Sequence, residues 1–142
     1  MASTGFVFNS TLRDEARGDI NYLTDTFKVM LLSSSSTPNK DTWTRRSDVT
    51  NEVTGTGYSA GGVAVAVSVG AVDTNNDRVD VSLGSAEWLS STLTARYAIY
   101  YKSRGGASTA DELVALVDFG QDVSTINDTF SMTASILRKN NP

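Results

Sequence analysis

The side chains of this 142-residue sequence that could do chemistry fall in a few places. Asp73-x-Asn75-x-Asp77 has the opening spacing of a calcium loop, in which alternate side-chain oxygens converge on one hard cation. The sixth position, where such a loop turns on glycine, holds Arg78, and Gly84 stands where the bidentate glutamate belongs. The run therefore reads first as a hairpin turn whose oxygens hydrogen-bond locally, with a bound cation as the alternative. Gly55-x-Gly57-x-x-Ala60, followed by Gly61-Gly62, approaches a dinucleotide fingerprint. That fingerprint needs a helix to open at the glycines and aim its N-terminus at a pyrophosphate. Here Val63, Val65, Val67 and Val69 follow, a strand pattern, so the segment reads as a glycine-rich connection. Asp111-Glu112 are adjacent acids that a strand would send to opposite faces, and Asp80 and Asp118 lie on polar faces. Glycosidase chemistry instead needs two acids facing one another across a cleft.

The chain has no histidine and no cysteine. Thiolate metal sites, disulfides, Ser-His-Asp hydrolysis and Cys-His chemistry are closed to it. No catalytic activity, catalytic residue, cofactor or metal is expected. A net charge of -4, with Arg45-Arg46 and Arg138-Lys139 the adjacent basic pairs, argues against direct contact with nucleic acid. No apolar run approaches the ~20 residues of a membrane helix, and Met1 to Gly5 lack the pattern of a signal peptide, so an unprocessed intracellular product is expected. With 39% hydrophobic and 20% charged residues, the chain fits a single domain able to bury its own core, with short flexible ends.

The elements that must position these residues are mostly strands. Phe8 to Gly18 predicts one short helix, with Phe8, Leu12 and Ala16 as its apolar stripe, Asn9 or Ser10 as cap and Gly18 as stop. From Thr26 onward the period changes to two, Phe27, Val29 and Leu31 alternating with Lys28, Met30 and Leu32, a strand buried on much of both faces. Ser33 to Lys40 reads as a solvated loop, beyond which Trp43 folds back onto the body. Val63 to Val69 and Val79 to Leu83, joined through Asp73–Asp77, predict an antiparallel hairpin. Strands are also expected from Ala95 to Lys102, from Leu113 to Phe119, and from Thr129 to Ile136. The last should point Phe130, Met132, Ala134 and Ile136 inward, ahead of a polar tail from Arg138 to Pro142. The fold class is mainly β: an antiparallel β-sandwich, jelly-roll-like, with one short N-terminal α-helix.

Tyr97, Tyr100 and Tyr101 lie within five residues, and alternation sends Tyr100 to the face opposite the other two. The bland reading packs Tyr100 under the N-terminal helix, and the rival reading places it on a protein contact surface, where tyrosine is enriched. Trp43, Arg45, Arg46, Tyr58 and Tyr100 are the candidate contact residues, with Ser33–Lys40, Trp43–Arg46, Gly55–Gly62 and the termini as candidate contact segments.

Four blocks occur in a fixed order: Asp25 to Leu32, Asn51 to Gly62, Thr94 to Lys102, and Val117-Asp118-Phe119-Gly120. In that order they resemble a group of small virion proteins of tailed bacteriophages, over about Phe8 to Thr133. The resemblance implies a structural role in the particle, of the capsid decoration or cement type. Its partner would be the major capsid protein on the outer head surface, the chain being made in the host cytoplasm and acting as a homo-oligomer. A tail, neck or fibre-base component is the alternative within that role. A carbohydrate- or receptor-binding module using Trp43, Trp88 or a tyrosine as stacking platform is a third. The group carries no catalytic motif onto this chain.

Overall fold

A computed structural model describes residues 4–141. The expected N-terminal tip at Met1 to Ser3 and the end of the tail at Pro142 lie outside the described residues. Eight strands and one α-helix run in the order β1 (Thr4–Val7), α1 (Asn9–Arg17), β2 (Phe27–Leu32), β3 (Val63–Val65), β4 (Val67–Val69), β5 (Arg78–Leu83), β6 (Ala86–Lys102), β7 (Leu113–Met132) and β8 (Ser135–Asn140). They form two antiparallel sheets, one ordered β1-β7-β6-β2-β3 and the other β4-β5-β8. Over the described residues the protein is thus mainly β and sandwich-like, with a single short α-helix near the N-terminus.

One long ribbon generates both sheets. β6 and β7 pair along almost their whole length, from Tyr101 opposite Leu113 to Ala86 opposite Met132. Beyond that end the pairing resumes in the same register, Leu83 opposite Ser135 through to Arg78 opposite Asn140. The ribbon bends at Gly84-Ser85 in one arm and Thr133-Ala134 in the other, so its far part makes the second sheet. At this corner the Gly84 N–H donates to the Ala66 carbonyl at 2.7 Å, and the Tyr100 hydroxyl donates to the Gly84 carbonyl at 3.1 Å. A Cβ on Gly84 would run into the Ala66 carbonyl, so the corner needs glycine for close approach rather than for an unusual φ.

The corner explains several departures from the alternation pattern. Val63 to Val69 alternates as read but is two strands, because Ala66 carries the chain from the first sheet to the second. Thr129 to Ile136 is broken at Thr133-Ala134 as well. Phe130 and Met132 point inward as expected, whereas Ala134 and Ile136 are exposed and Leu137 takes the buried place. Arg138 to Asn140 belong to β8 rather than to a tail. β6 begins nine residues before the expected Ala95, and β7 runs through Gly120 to Asp128. Bulges absorb the irregular residues of both arms, where Ser90 and Asn127 each sit at φ 47. The expected hairpin holds: β4 pairs β5, and Asp73 bridges Arg78 across the turn.

Two apolar clusters follow from the two faces of the first sheet. Phe27, Val29, Leu31, Ala98 and Tyr100 face the second sheet, together with Trp88, Phe130, Leu83 and Leu137. Met30, Leu32, Ile99 and Tyr101 face the other way, under Phe8 and Trp43. Tyr100 does oppose its two neighbours, but it is fully buried between the sheets. Neither of its expected positions, under the helix or on a contact surface, is the one it occupies.

The helix boundaries agree with the sequence, and Gly18 stops α1 in the left-handed conformation at φ 81. Its packing face does not. Phe8 itself is the N-cap residue, with no side-chain cap bond from Asn9 or Ser10. Leu12 is 57% exposed and Ala16 is exposed, while Ser10, Thr11 and Asp14 are buried. The cause is what the helix meets. β1 covers the edge of β7 only from Ala115 to Asp118, and α1 takes over at the next two residues. There the Thr11 hydroxyl donates to the carbonyls of Leu113 at 2.7 Å and Val114 at 3.0 Å. A strand edge presents unpaired polar backbone, so the helix docks through a hydroxyl rather than a methyl stripe.

Thr11→Val should therefore cost about 1–3 kcal/mol, since it takes a donor from the buried Leu113 carbonyl and leaves Val114 only the Phe8 N–H at 3.4 Å. Leu12→Ala should stay within about 0.5 kcal/mol, as an exposed substitution does. Equal costs in chemical denaturation would show that α1 packs through its apolar stripe after all.

Candidate functional site

The carboxylates that could do acid–base work are bound up in ion pairs. Asp111 and Glu112 are both buried. Asp111 accepts from Arg46 Nε at 2.7 Å and from the Arg104 backbone N–H at 2.9 Å. Glu112 accepts from Arg104 Nε at 3.0 Å and Nη2 at 2.6 Å. Burial pushes the Glu112 carboxyl up, but the hydrogen bonds from Arg104, a backbone hydrogen bond and the charges of Arg104 and Lys102 together outweigh it and leave the group below its ordinary value. A carboxyl held ionised in this way is a poor proton donor near neutrality. Asp80 and Asp118 are also held low, first by hydrogen bonds from Arg138 and Arg96 on the neighbouring strands.

The Asp73–Asp77 turn is occupied by N–H donors. Asp73 accepts from the backbone N–H groups of Asn75 and Asn76 at 3.1 and 3.2 Å and from the Asn76 side chain at 2.8 Å. Oxygens already aimed at N–H groups are turned away from a common cation, which favours the turn reading. Among the described residues, no group of three acidic side chains converges as a metal cage would.

The glycine-rich segment is strapped to the body. No helix starts there, and it leads into β3 as the valine pattern indicated. Glu52 Oε2 accepts from the Tyr58 hydroxyl at 2.6 Å and the Gly61 N–H at 2.7 Å. The Tyr58 oxygen also accepts from the Leu31 N–H at 3.0 Å, and the Tyr101 hydroxyl donates to the Gly61 carbonyl at 2.5 Å. Burial, with Glu52 beside it, pushes the Tyr58 hydroxyl far above its usual range, and burial takes Tyr101 up to about 12. Gly62, at φ 76, presses so closely on β2 that a Cβ would run into the Val29 carbonyl.

Two of the five candidate contact residues are interior, and the other three are half-buried and held by partners within the chain. Trp43, only 9% exposed, stacks on Phe8 with ring centroids 6.5 Å apart, and Tyr100 is buried outright. These two belong to the core, which corrects their expected place on a contact surface. Arg45 reaches the buried Asp14 at 3.3 Å, and Arg46 serves Asp111 while lying 5.3 Å over the Tyr101 ring. Tyr58 stacks on Trp88, centroids 6.0 Å apart. The loop Ser33–Lys40 is mostly exposed but buries Ser36, and Arg138 and Lys139 are paired with Asp80 and Glu15.

Two surfaces were not foreseen. The first is the flank where β1 and β8, the outer strands of the two sheets, leave the sandwich open. Grooves of about 390 and 290 Å³ run along it, lined in part by Val7, Ala115, Val117, Phe119, Phe130 and Leu137. The second is the outward face of the ribbon between Ala86 and Ala95, which carries the exposed Leu89 and Ile126. Both depend on strand order, which a single sequence does not encode locally. Leu89 and Ile126 offered a signal only as apolar residues on a polar face.

Because the folded Glu112 carboxyl is depressed, its ionised form stabilises the fold above the unfolded glutamate value of about 4.3. That contribution is lost as pH falls through the lower folded value. The urea midpoint should hold from pH 7 to about 5 and then drop, and Glu112→Gln should start lower and drop less. An equally steep drop in the variant would assign the effect to other carboxylates. Gly62→Ala should cost about 3 kcal/mol or more, against about 1–2 kcal/mol for Gly18→Ala, which shares a positive φ but has open space. Similar losses at the two positions would mean that φ, and not the contact with β2, sets the demand for glycine.

Compared with known proteins, the chain matches no protein family, no curated protein sequence and no solved structure.

Proposed function

We propose that this chain is a structural protein of a tailed-bacteriophage particle, a many-copy capsid decoration or cement protein on the outer head surface. Its partner in this reading is the major capsid protein, and it acts as a symmetric oligomer without direct contact to nucleic acid or membrane. The observation that carries the reading is the ordered resemblance of four sequence blocks, from Asp25-Thr26-Phe27 to Val117-Asp118-Phe119-Gly120.

Physical chemistry supports it without replacing that resemblance. Asp111, Glu112, Asp80 and Asp118 are committed to arginines, so the acids that could work as catalysts serve the fold instead. A decoration protein needs a rigid body and repeated weak contacts, because once one subunit of an oligomer docks the others bind at high effective concentration. The carbohydrate-binding alternative loses ground, since Trp43 and Trp88 are both in the core and offer no stacking platform. The tail, neck or fibre-base alternative uses the same rigid body and differs in copy number.

Quantitative mass spectrometry of purified virions should find hundreds of copies, commensurate with the head lattice. A count of about six or twelve would place the protein at the neck or tail and overturn the decoration reading.

A further inference from the structure

The charges of this protein are unevenly spent. Among the described residues, ten of the twelve Lys and Arg side chains lie within ion-pair distance of a carboxylate. No Lys or Arg occurs from Val79 to Ala95 or from Gly105 to Leu137, the stretches that build the far half of the β6–β7 ribbon. Glu87, Asp122 and Asp128 are exposed there and pair with no cation, and Arg96 at the base of the ribbon is held by Asp118. Three of the seven carboxylates outside ion pairs thus lie at this end of the molecule, in stretches that hold no Lys or Arg.

The same end shows apolar side chains to solvent. Trp88 and Phe130 point into the core, so their neighbours Glu87, Leu89, Thr129 and Ser131 point outward by alternation. Leu93 is likewise buried, and Ile126 follows its partner Thr125 onto the outward face. Leu89 is 65% and Ile126 79% exposed. The bulges at Ser90 and Asn127, both at φ 47, interrupt the ladder beside these two residues. Over the other half of the ribbon the corresponding face is covered by Phe8 and Trp43, whereas here it is bare.

We propose that this outward face, Leu89 and Ile126 framed by Glu87 and Asp122, is a docking surface for a different protein that presents Lys and Arg around an apolar depression. Charge decides the kind of occupant. A second copy of the chain would set like charges against each other, with only Lys28 and Lys40 free to answer them. A cationic partner gains attraction over a Debye length of about 10 Å at 0.1 M salt and desolvates two aliphatic side chains on contact. Resting on the proposed function, the surface is the attachment face and its partner the shell subunit.

The test uses particles purified from a lysate of the phage carrying this gene, with the gene deleted, and separated into heads and tails. Wild-type protein added to heads should bind, more weakly as salt is raised from 0.05 to 0.3 M. Leu89→Asp with Ile126→Asp should weaken binding by about tenfold or more while keeping the wild-type circular dichroism and melting point. Glu87→Gln and Asp122→Asn together should flatten the salt dependence, and the control Leu23→Asp, exposed elsewhere, should bind as wild type. Heads bound equally well by wild type and both ribbon variants would overturn the docking surface and leave the decoration reading standing. Binding to tails in place of heads, lost in the ribbon variants, would overturn the decoration reading and keep the surface. No binding to either fraction would overturn both.

Discussion

The architecture depends on one corner. Gly84 gives its N–H to Ala66 and takes the Tyr100 hydroxyl on its carbonyl, so three segments meet where the long ribbon leaves the first sheet. Ala66 is itself the point at which the Val63–Val69 run changes sheets. The two crossings are therefore hydrogen-bonded to one another, and Tyr100 joins them to the middle of the first sheet through the core. Tyrosine suits this place because its ring fills interior volume and its hydroxyl satisfies a backbone carbonyl that a bend would otherwise leave bare. Phenylalanine would fill the same volume and leave the carbonyl unpaired.

Once the corner is fixed, the aromatic layer follows. Trp88 packs on Phe130 edge to face at 5.8 Å and is covered by Tyr58, which is in turn tied to Glu52 and Leu31. The indole N–H of Trp88 has no partner among the described residues. Leaving such a group unpaired costs about 1–3 kcal/mol, less than the 3–5 kcal/mol that truncating a large aromatic side chain costs. Packing decides the position and hydrogen bonding yields. The reverse holds at α1, where Thr11 and Asp14 are buried and Leu12 is left in water, because that surface is the edge of a strand.

Much of the fold was legible from local pattern. The two-residue period located β2, the β4–β5 hairpin and the inward Phe130 and Met132, and Gly18 marked the end of α1. The pattern failed where it carries no information. Alternation at Val63–Val69 continues smoothly through Ala66 although the strand changes sheets, since crossing between sheets need not alter which side is apolar. It broke at Thr133-Ala134, where the bend shifts the buried set from Ile136 to Leu137. The contact residues were less legible than the strands. Trp43, Tyr58 and Tyr100 have the composition of an interface, and aromatic residues are equally the material of a core. Only a neighbour, such as Phe8 against Trp43, separates the two.

Charge placement follows the same logic of neighbours. Buried acids at Asp14, Asp111 and Glu112 would each be costly alone, and each is met by an arginine, Asp14 and Asp111 by ones distant in the chain and Glu112 by the nearby Arg104. Arg45 and Arg46, adjacent in sequence, serve Asp14 and Asp111, and so anchor the segment after Trp43 to both the helix and the start of β7. Drawing the cations into these internal pairs has a consequence at the surface. A chain of net charge -4 that commits its arginines to its own carboxylates must show the remaining ones somewhere. The far half of the β6–β7 ribbon, built from stretches without any Lys or Arg, is where several of them emerge. The internal ion pairs that hold the loops to the sheets are thus also what leaves one end of the molecule uniformly acidic. Stability inside and polarity outside are two results of a single distribution of arginine.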